Sequence, residues 1–167
     1  MNLKVFSTLF FLLNQQGYPL FHRKYNGFGL DINGKDGLSI KEMETHFPYT
    51  TFYGIDNDRK NVIKLQKEFP SHYFLYKNIE NGDIRNLYKK FQVVQISEYN
   101  NLENMLRNTN KLLKKDGVCI LRYKEEDFLK IKKREHSNQY QPKQYYLGMS
   151  YDTMYHIPEN RTLLWFT

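Results

Sequence analysis

The stretch FQVVQISEYNNLENMLRNTNKLLKKDGVCILRY, residues 91–123, carries a β-like run, a helical run, a turn and a second β-like run. At its centre, NLENMLRNTNKLL (101–113) sets Leu102, Met105, Leu106, Thr109, Leu112 and Leu113 on one stripe, the spacing of an amphipathic helix. GVCILRY (117–123) is short, apolar and preceded by a turn, as a buried strand would be. A strand, a helix and a strand in succession form a crossover, which lays the two strands parallel in one sheet.

The alternation extends both ways. FGLDI (28–32) precedes the helical LSIKEMETHF (38–47), and TFYGID (51–56) precedes DRKNVIKLQKEF (58–69). HYFLYKN (72–78) leads into the weaker helical run DIRNLYKKF (83–91), and EEDFLKIKKREHS (125–137) follows the fifth strand. Five such repeats predict an α/β fold with a doubly wound, mostly parallel sheet. The pattern then changes. QYYLGMSYDTMYHI (144–157) and RTLLWFT (161–167) are both β-like and only Pro-Glu-Asn separates them. So short a link permits only a C-terminal antiparallel hairpin.

A chain of 167 residues suffices for one domain with a real core. The expected division is an apolar N-terminal helix or extension over 1–25 and a Rossmann-like domain over 26–167. The apolar run Val5 to Leu13 is too short to span a membrane, and no small-x-small cleavage site follows it. A net charge of +7 favours anionic partners such as RNA, anionic lipid or an acidic protein surface, although a lysine- and asparagine-rich composition accounts for part of it. The single Cys119 excludes an internal disulfide framework and suits an intracellular, reducing compartment. Its place in an apolar run makes it a core residue. The five histidines lie in different segments without i,i+4 spacing, so no metal site is expected.

In a doubly wound sheet, ligands sit beyond the carboxyl ends of the strands. There FGLDINGKDGLSI (28–40) supplies Asp31 at a strand end, a glycine-bearing loop with Gly34, and Gly37 at the start of a helix. Asp56 ends the second strand, where an acid can accept hydrogen bonds from the hydroxyls of a ribose.

These segments resemble the class I S-adenosylmethionine-dependent methyltransferase family over roughly residues 26–167. GLDINGKDGLSI is similar to its first motif, FYGIDND to its second, and residues 91–123 to its fourth strand, following helix and fifth strand. The resemblance implies a cofactor site drawn from Asp31, Asn33, Gly34, Gly37, Asp56, Asn78 and Ser97, with S-adenosylmethionine as the cofactor. Asp56 stands in the ribose-binding place and Asn78 nearest the place of the adenine-binding acid.

This sequence departs from the family at informative points. Of the three glycines of the first motif only Gly37 is kept, while Asn33 and Lys35 occupy the other two places. Asn tolerates left-handed backbone, whereas Lys35 adds a long cationic side chain where the cofactor's own sulfonium would sit. After the fourth strand, SEYNN replaces the Asn/Asp-Pro-Pro-aromatic motif of amino-methylating relatives, and no nucleophile or acid–base constellation is present. Glu98 and Tyr99 are pocket-lining or helix-start residues.

Three functions fit. The preferred one is a methyltransferase-like domain, degenerate in cofactor binding, that serves as a binding or architectural subunit of a larger assembly with protein partners, ribonucleoprotein or mitochondrial in setting. The second is an active S-adenosylmethionine-dependent methyltransferase, with RNA as one acceptor class. The third, a Rossmann-like domain for another nucleotide, fits the terminal hairpin less well. Of two basic runs, LKIKKREH (129–136) is a solvated face or an RNA contact, and FHRKY (21–25) either stacks on bases and pairs phosphates or anchors the chain to a protein partner.

Overall fold

The computed structural model describes residues 27–127 and the strand residues 145–146, 149–150, 154–157 and 162–166. The expected N-terminal helix and both basic runs lie outside these residues. Seven strands form the main sheet, in the order β3-β2-β1-β4-β5-β9-β8. Its parallel part comprises β1 (Phe28–Ile32), β2 (Thr51–Asp56), β3 (Tyr73–Tyr76), β4 (Phe91–Ile96) and β5 (Leu113–Arg122). The hairpin follows as predicted. β9 (Thr162–Phe166) pairs antiparallel with β5, and β8 (Met154–Ile157) pairs antiparallel with β9. A small separate pair, β6 (Tyr145–Tyr146) and β7 (Met149–Ser150), precedes it.

Among the described residues, three helices lie in crossovers: α1 (Leu38–His46), α2 (Arg59–Glu68) and α3 (Leu102–Leu112). Two start on side-chain caps. Asp58 accepts from the Lys60 amide and Asn101 from the Asn104 amide, each satisfying a donor that the helix itself leaves free. The stripe of α3 is buried as expected, through Leu102, Met105, Leu106, Thr109 and Leu112. Leu30, Ile32, Ile55, Val94, Ile96, Cys119 and Leu121 meet it in one apolar cluster. Removing that surface from water drives the association, at about 25 cal/mol per Å². Cys119 is buried in this core, and burial holds its thiol well above the ordinary range.

Two predicted elements change. Residues 83–91 do not form a helix but a single 3₁₀ turn, Arg85–Leu87, followed by left-handed Lys89 at φ 52°. The Asp83 carboxylate holds both the Arg85 amide and its guanidinium, at 3.1 and 2.8 Å, which favours a tight local turn over a helix. Leu113, expected on the helix, instead opens β5 opposite Phe91. Between that pair and Val93↔Val118 the register shifts, so the Lys-Lys-Asp-Gly segment is a bulge rather than a free turn. A Cβ on Gly117 would stand 2.8 Å from the Lys114 carbonyl oxygen.

Candidate cofactor site

The loop from β1 to α1 keeps an unusual backbone. Asn33, Lys35 and Gly37 have φ of 57°, 46° and 76°, all left-handed. The two non-glycine residues therefore hold the conformation that the family's glycines would adopt without cost, at about 1–2 kcal/mol for an ordinary side chain. Gly37 is required twice over. Its φ is positive, and a Cβ there would lie 2.5 Å from Cε2 of Phe69. Gly34 rests directly on the acid below it, since a Cβ there would collide with Asp31 Oδ2. With no side chain on Gly37 to cap α1, Asp36 Oδ1 accepts from the Leu38 amide at 3.0 Å.

The same loop is fastened across the sheet to the segment after β4. Lys35 Nζ lies 2.6 Å from Glu98 Oε2, and Asn33 Nδ2 donates to the Glu98 carbonyl oxygen at 2.9 Å. The hydrogen bond to Glu98 and its charge hold the Lys35 ammonium above its ordinary pKa. Beside this clasp, Ser39 Oγ and Ser97 Oγ share a hydrogen bond of 3.1 Å. A cavity of about 190 Å³ lies among Lys35, Ser39, Gln95, Ser97, Glu98 and Arg122. A neighbouring cavity of about 240 Å³ shares Ser97, Glu98 and Arg122 with it. Each alone is smaller than the roughly 300–1,000 Å³ of small-molecule sites, and the two adjoin.

Asp31 is buried beneath the loop. Burial, then the charges of Asp36 and Asp56, push its carboxyl up to about 7, while a hydrogen bond with Ser97 pulls the other way. Its Oδ1 has no hydrogen-bond partner among the described residues. Asp56 is also buried. Its Oδ1 accepts from the Asp58 amide at 2.8 Å and from Asn61 Nδ2 at 3.2 Å, but Oδ2 has no partner among the described residues. Asn78 Oδ1 accepts from the Glu80 and Asn81 amides at 2.9 and 3.1 Å, so its oxygen shapes the loop after β3. Buried Glu80 reaches across to the amides of Asn100 and Asn101, tying that loop to the start of α3.

The structure thus brings Asp31, Asn33, Gly34, Gly37 and Ser97 around one loop. Asp56 stands at the end of the next strand, and Asn78 lies just beyond β3, where Lys77 N meets the Asp56 carbonyl oxygen at 3.1 Å. Ser39, Gln95 and Arg122 also line the site and were not anticipated. Gln95 carried a signal: a polar residue inside the apolar run VVQI, now buried with Oε1 unpartnered among the described residues. Among the described residues, no group of three or more His, Cys, Asp or Glu could hold a metal ion, and no helix is long and apolar enough to cross a membrane.

Strand order, the terminal hairpin and a loop of this shape after β1 define the class I methyltransferase fold. Solved structures bear this out. A TehB-like SAM-dependent methyltransferase from Corynebacterium glutamicum superposes with a TM-score of 0.59 at 13% identity, over 98% of this chain and 96% of that one. YcgJ from Bacillus subtilis gives 0.52 at 18% identity, over 75% of this chain and 56% of its own. A predicted O-methyltransferase, Atu636 from Agrobacterium tumefaciens, gives 0.56 at 9% identity, over 66% and 61%. The chain therefore spans under two thirds of the latter two. At these identities the likeness is one of fold. No protein-family profile matches the sequence, and neither does any curated protein.

Proposed function

We propose that this chain is a methyltransferase-like domain whose cofactor site is closed by its own side chains, and that it works as a binding subunit of a larger intracellular assembly. The clasp from Lys35 and Asn33 to Glu98 carries this reading, because it spans the loop where the family's glycines leave room for the cofactor's amino-acid end. The fit of S-adenosylmethionine divides along its length. Asp56, with Oδ2 unpartnered among the described residues, suits a ribose, whereas the Lys35–Glu98 pair does not suit the methionine end. A cationic Lys35 also opposes a sulfonium. The cofactor as a whole does not fit the site in this form, and no methyl transfer follows from it.

The alternative, an active S-adenosylmethionine-dependent methyltransferase with RNA as one acceptor class, is favoured by one observation. Asp31 Oδ1 and Asp56 Oδ2 are buried acceptors without partners among the described residues, a condition that costs stability unless a ligand donor meets them. Calorimetric titration with S-adenosylmethionine and S-adenosylhomocysteine separates the two. The expected result is no binding by the wild-type chain. Lys35→Gly removes the ion pair of the clasp and relieves a left-handed backbone, so it folds and is expected to regain binding. Micromolar binding by the wild type would overturn the closed-site proposal and establish the alternative.

A further inference from the structure

Two lysine pairs distant in sequence meet at the amino ends of β4 and β5, opposite the candidate cofactor site. Lys89 and Lys90 lead into β4, Lys111 lies in the last turn of α3, and Lys115 sits in the bulge of β5. Lys89 N donates to the Lys111 carbonyl oxygen at 2.9 Å and Lys90 N to that of Leu112 at 3.0 Å, so the two segments run side by side. Lys90 Nζ stands 4.6 Å from the Tyr53 ring centroid and 5.5 Å from that of Phe28. The Tyr53 ring in turn lies 5.0 Å from Tyr73, which is 55% exposed on the edge strand β3. Tyr88, 43% exposed, directly precedes Lys89. Among the described residues, no acid forms an ion pair with Lys89, Lys90, Lys111 or Lys115. Complementing the end of α3 explains Lys111 but not the other three.

We propose that this face binds single-stranded nucleic acid, with the lysines on phosphates and the exposed rings of Tyr73 and Tyr88 against bases. The rings decide between anionic partners, since an acidic protein segment would need the charges alone. The proposal deepens the assembly role by naming a partner class. It does not depend on the cofactor site, which lies at the other ends of the strands, so a chain that bound S-adenosylmethionine would keep this face intact.

The test is fluorescence anisotropy of the full chain with a labelled single-stranded RNA of about 12 nucleotides. Four phosphate contacts at a slope of about 0.7 each predict that affinity falls about fifty-fold between about 50 and about 200 mM salt. The double variant Lys89→Glu/Lys111→Glu is expected to weaken binding more than about tenfold, while Lys60→Glu/Lys67→Glu on α2, with the same change in net charge, leaves it within about twofold. Tyr73→Ala and Tyr88→Ala are each expected to weaken RNA binding by about fivefold or more and to leave polyglutamate binding unchanged. Equal losses in the two lysine pairs would overturn the proposal, as would polyglutamate binding that matches RNA. So would wild-type chain that fails to bind RNA, whatever the calorimetry of the cofactor shows. Far-ultraviolet circular dichroism confirms that each variant is folded.

Discussion

Replacing Asp31 with asparagine should raise stability relative to the wild type increasingly as the pH rises. Asp31 is buried beneath its loop, its carboxyl is lifted from 3.8 to about 7, and one oxygen has no partner among the described residues. Because the folded value lies above the unfolded one, the native state holds a proton that the unfolded chain has already lost between about pH 4 and pH 7. Stability contributed by that proton is complete below the unfolded value and is lost as pH rises through the folded one. A tenfold difference in proton affinity corresponds to about 1.4 kcal/mol, so the full effect approaches about 4 kcal/mol as an upper limit. The Asp31→Asn side chain keeps the shape but does not ionise. Burying its amide costs about 1–3 kcal/mol, a penalty that does not vary with pH. Urea unfolding of both chains at about pH 5 and about pH 8 therefore isolates the proton. The variant should gain on the wild type by roughly 2–3 kcal/mol between the two conditions. A difference that stays constant with pH would refute the assignment of a protonated Asp31.

Three further outcomes follow from the geometry. Gly37→Ala forces a side chain into left-handed backbone and against the Phe69 ring, and should cost about 2–4 kcal/mol in urea unfolding. Tyr99→Phe removes the hydroxyl that donates to buried Asp127 at 2.5 Å and accepts from the Lys124 amide at 2.8 Å. It should cost about 1–3 kcal/mol and lower the thermal midpoint. Glu80→Ala, by freeing the Asn100 and Asn101 amides, should cost a similar amount, about 1–3 kcal/mol, with hydrogen exchange rising first at the start of α3.

The sheet was legible because its strands are short apolar runs with strong punctuation, and because the Pro-Glu-Asn link between the last two strands leaves only one geometry. The helix expected at 83–91 failed for a specific reason. Ile84, Leu87 and Phe91 recur at helical spacing and all three are buried, but through a turn and the start of a strand. Periodicity reports burial, and only the Asp83–Arg85 contacts, which depend on geometry, reveal how it is achieved. After β1, the left-handed turn was legible at Asn33 and Gly37, the residue types that tolerate such backbone. The partner of Lys35 was not, since Glu98 is far along the chain and nothing local joins them. Ser39 and Arg122 gave no signal at all, being polar residues near element ends, where polar residues are common.

The left-handed turn at Asn33 and Lys35 also bears on how such a site changes over time. The loop keeps left-handed backbone at Asn33 and Lys35, a path that glycine adopts without strain. Substitution toward glycine at either position relieves the strained backbone and needs no rearrangement elsewhere. The chain thus stands one or two codon changes from an open loop. On the closed-site proposal, each such substitution gives up one contact to Glu98 in exchange for an unstrained backbone, so the cost of each step toward an open loop is small.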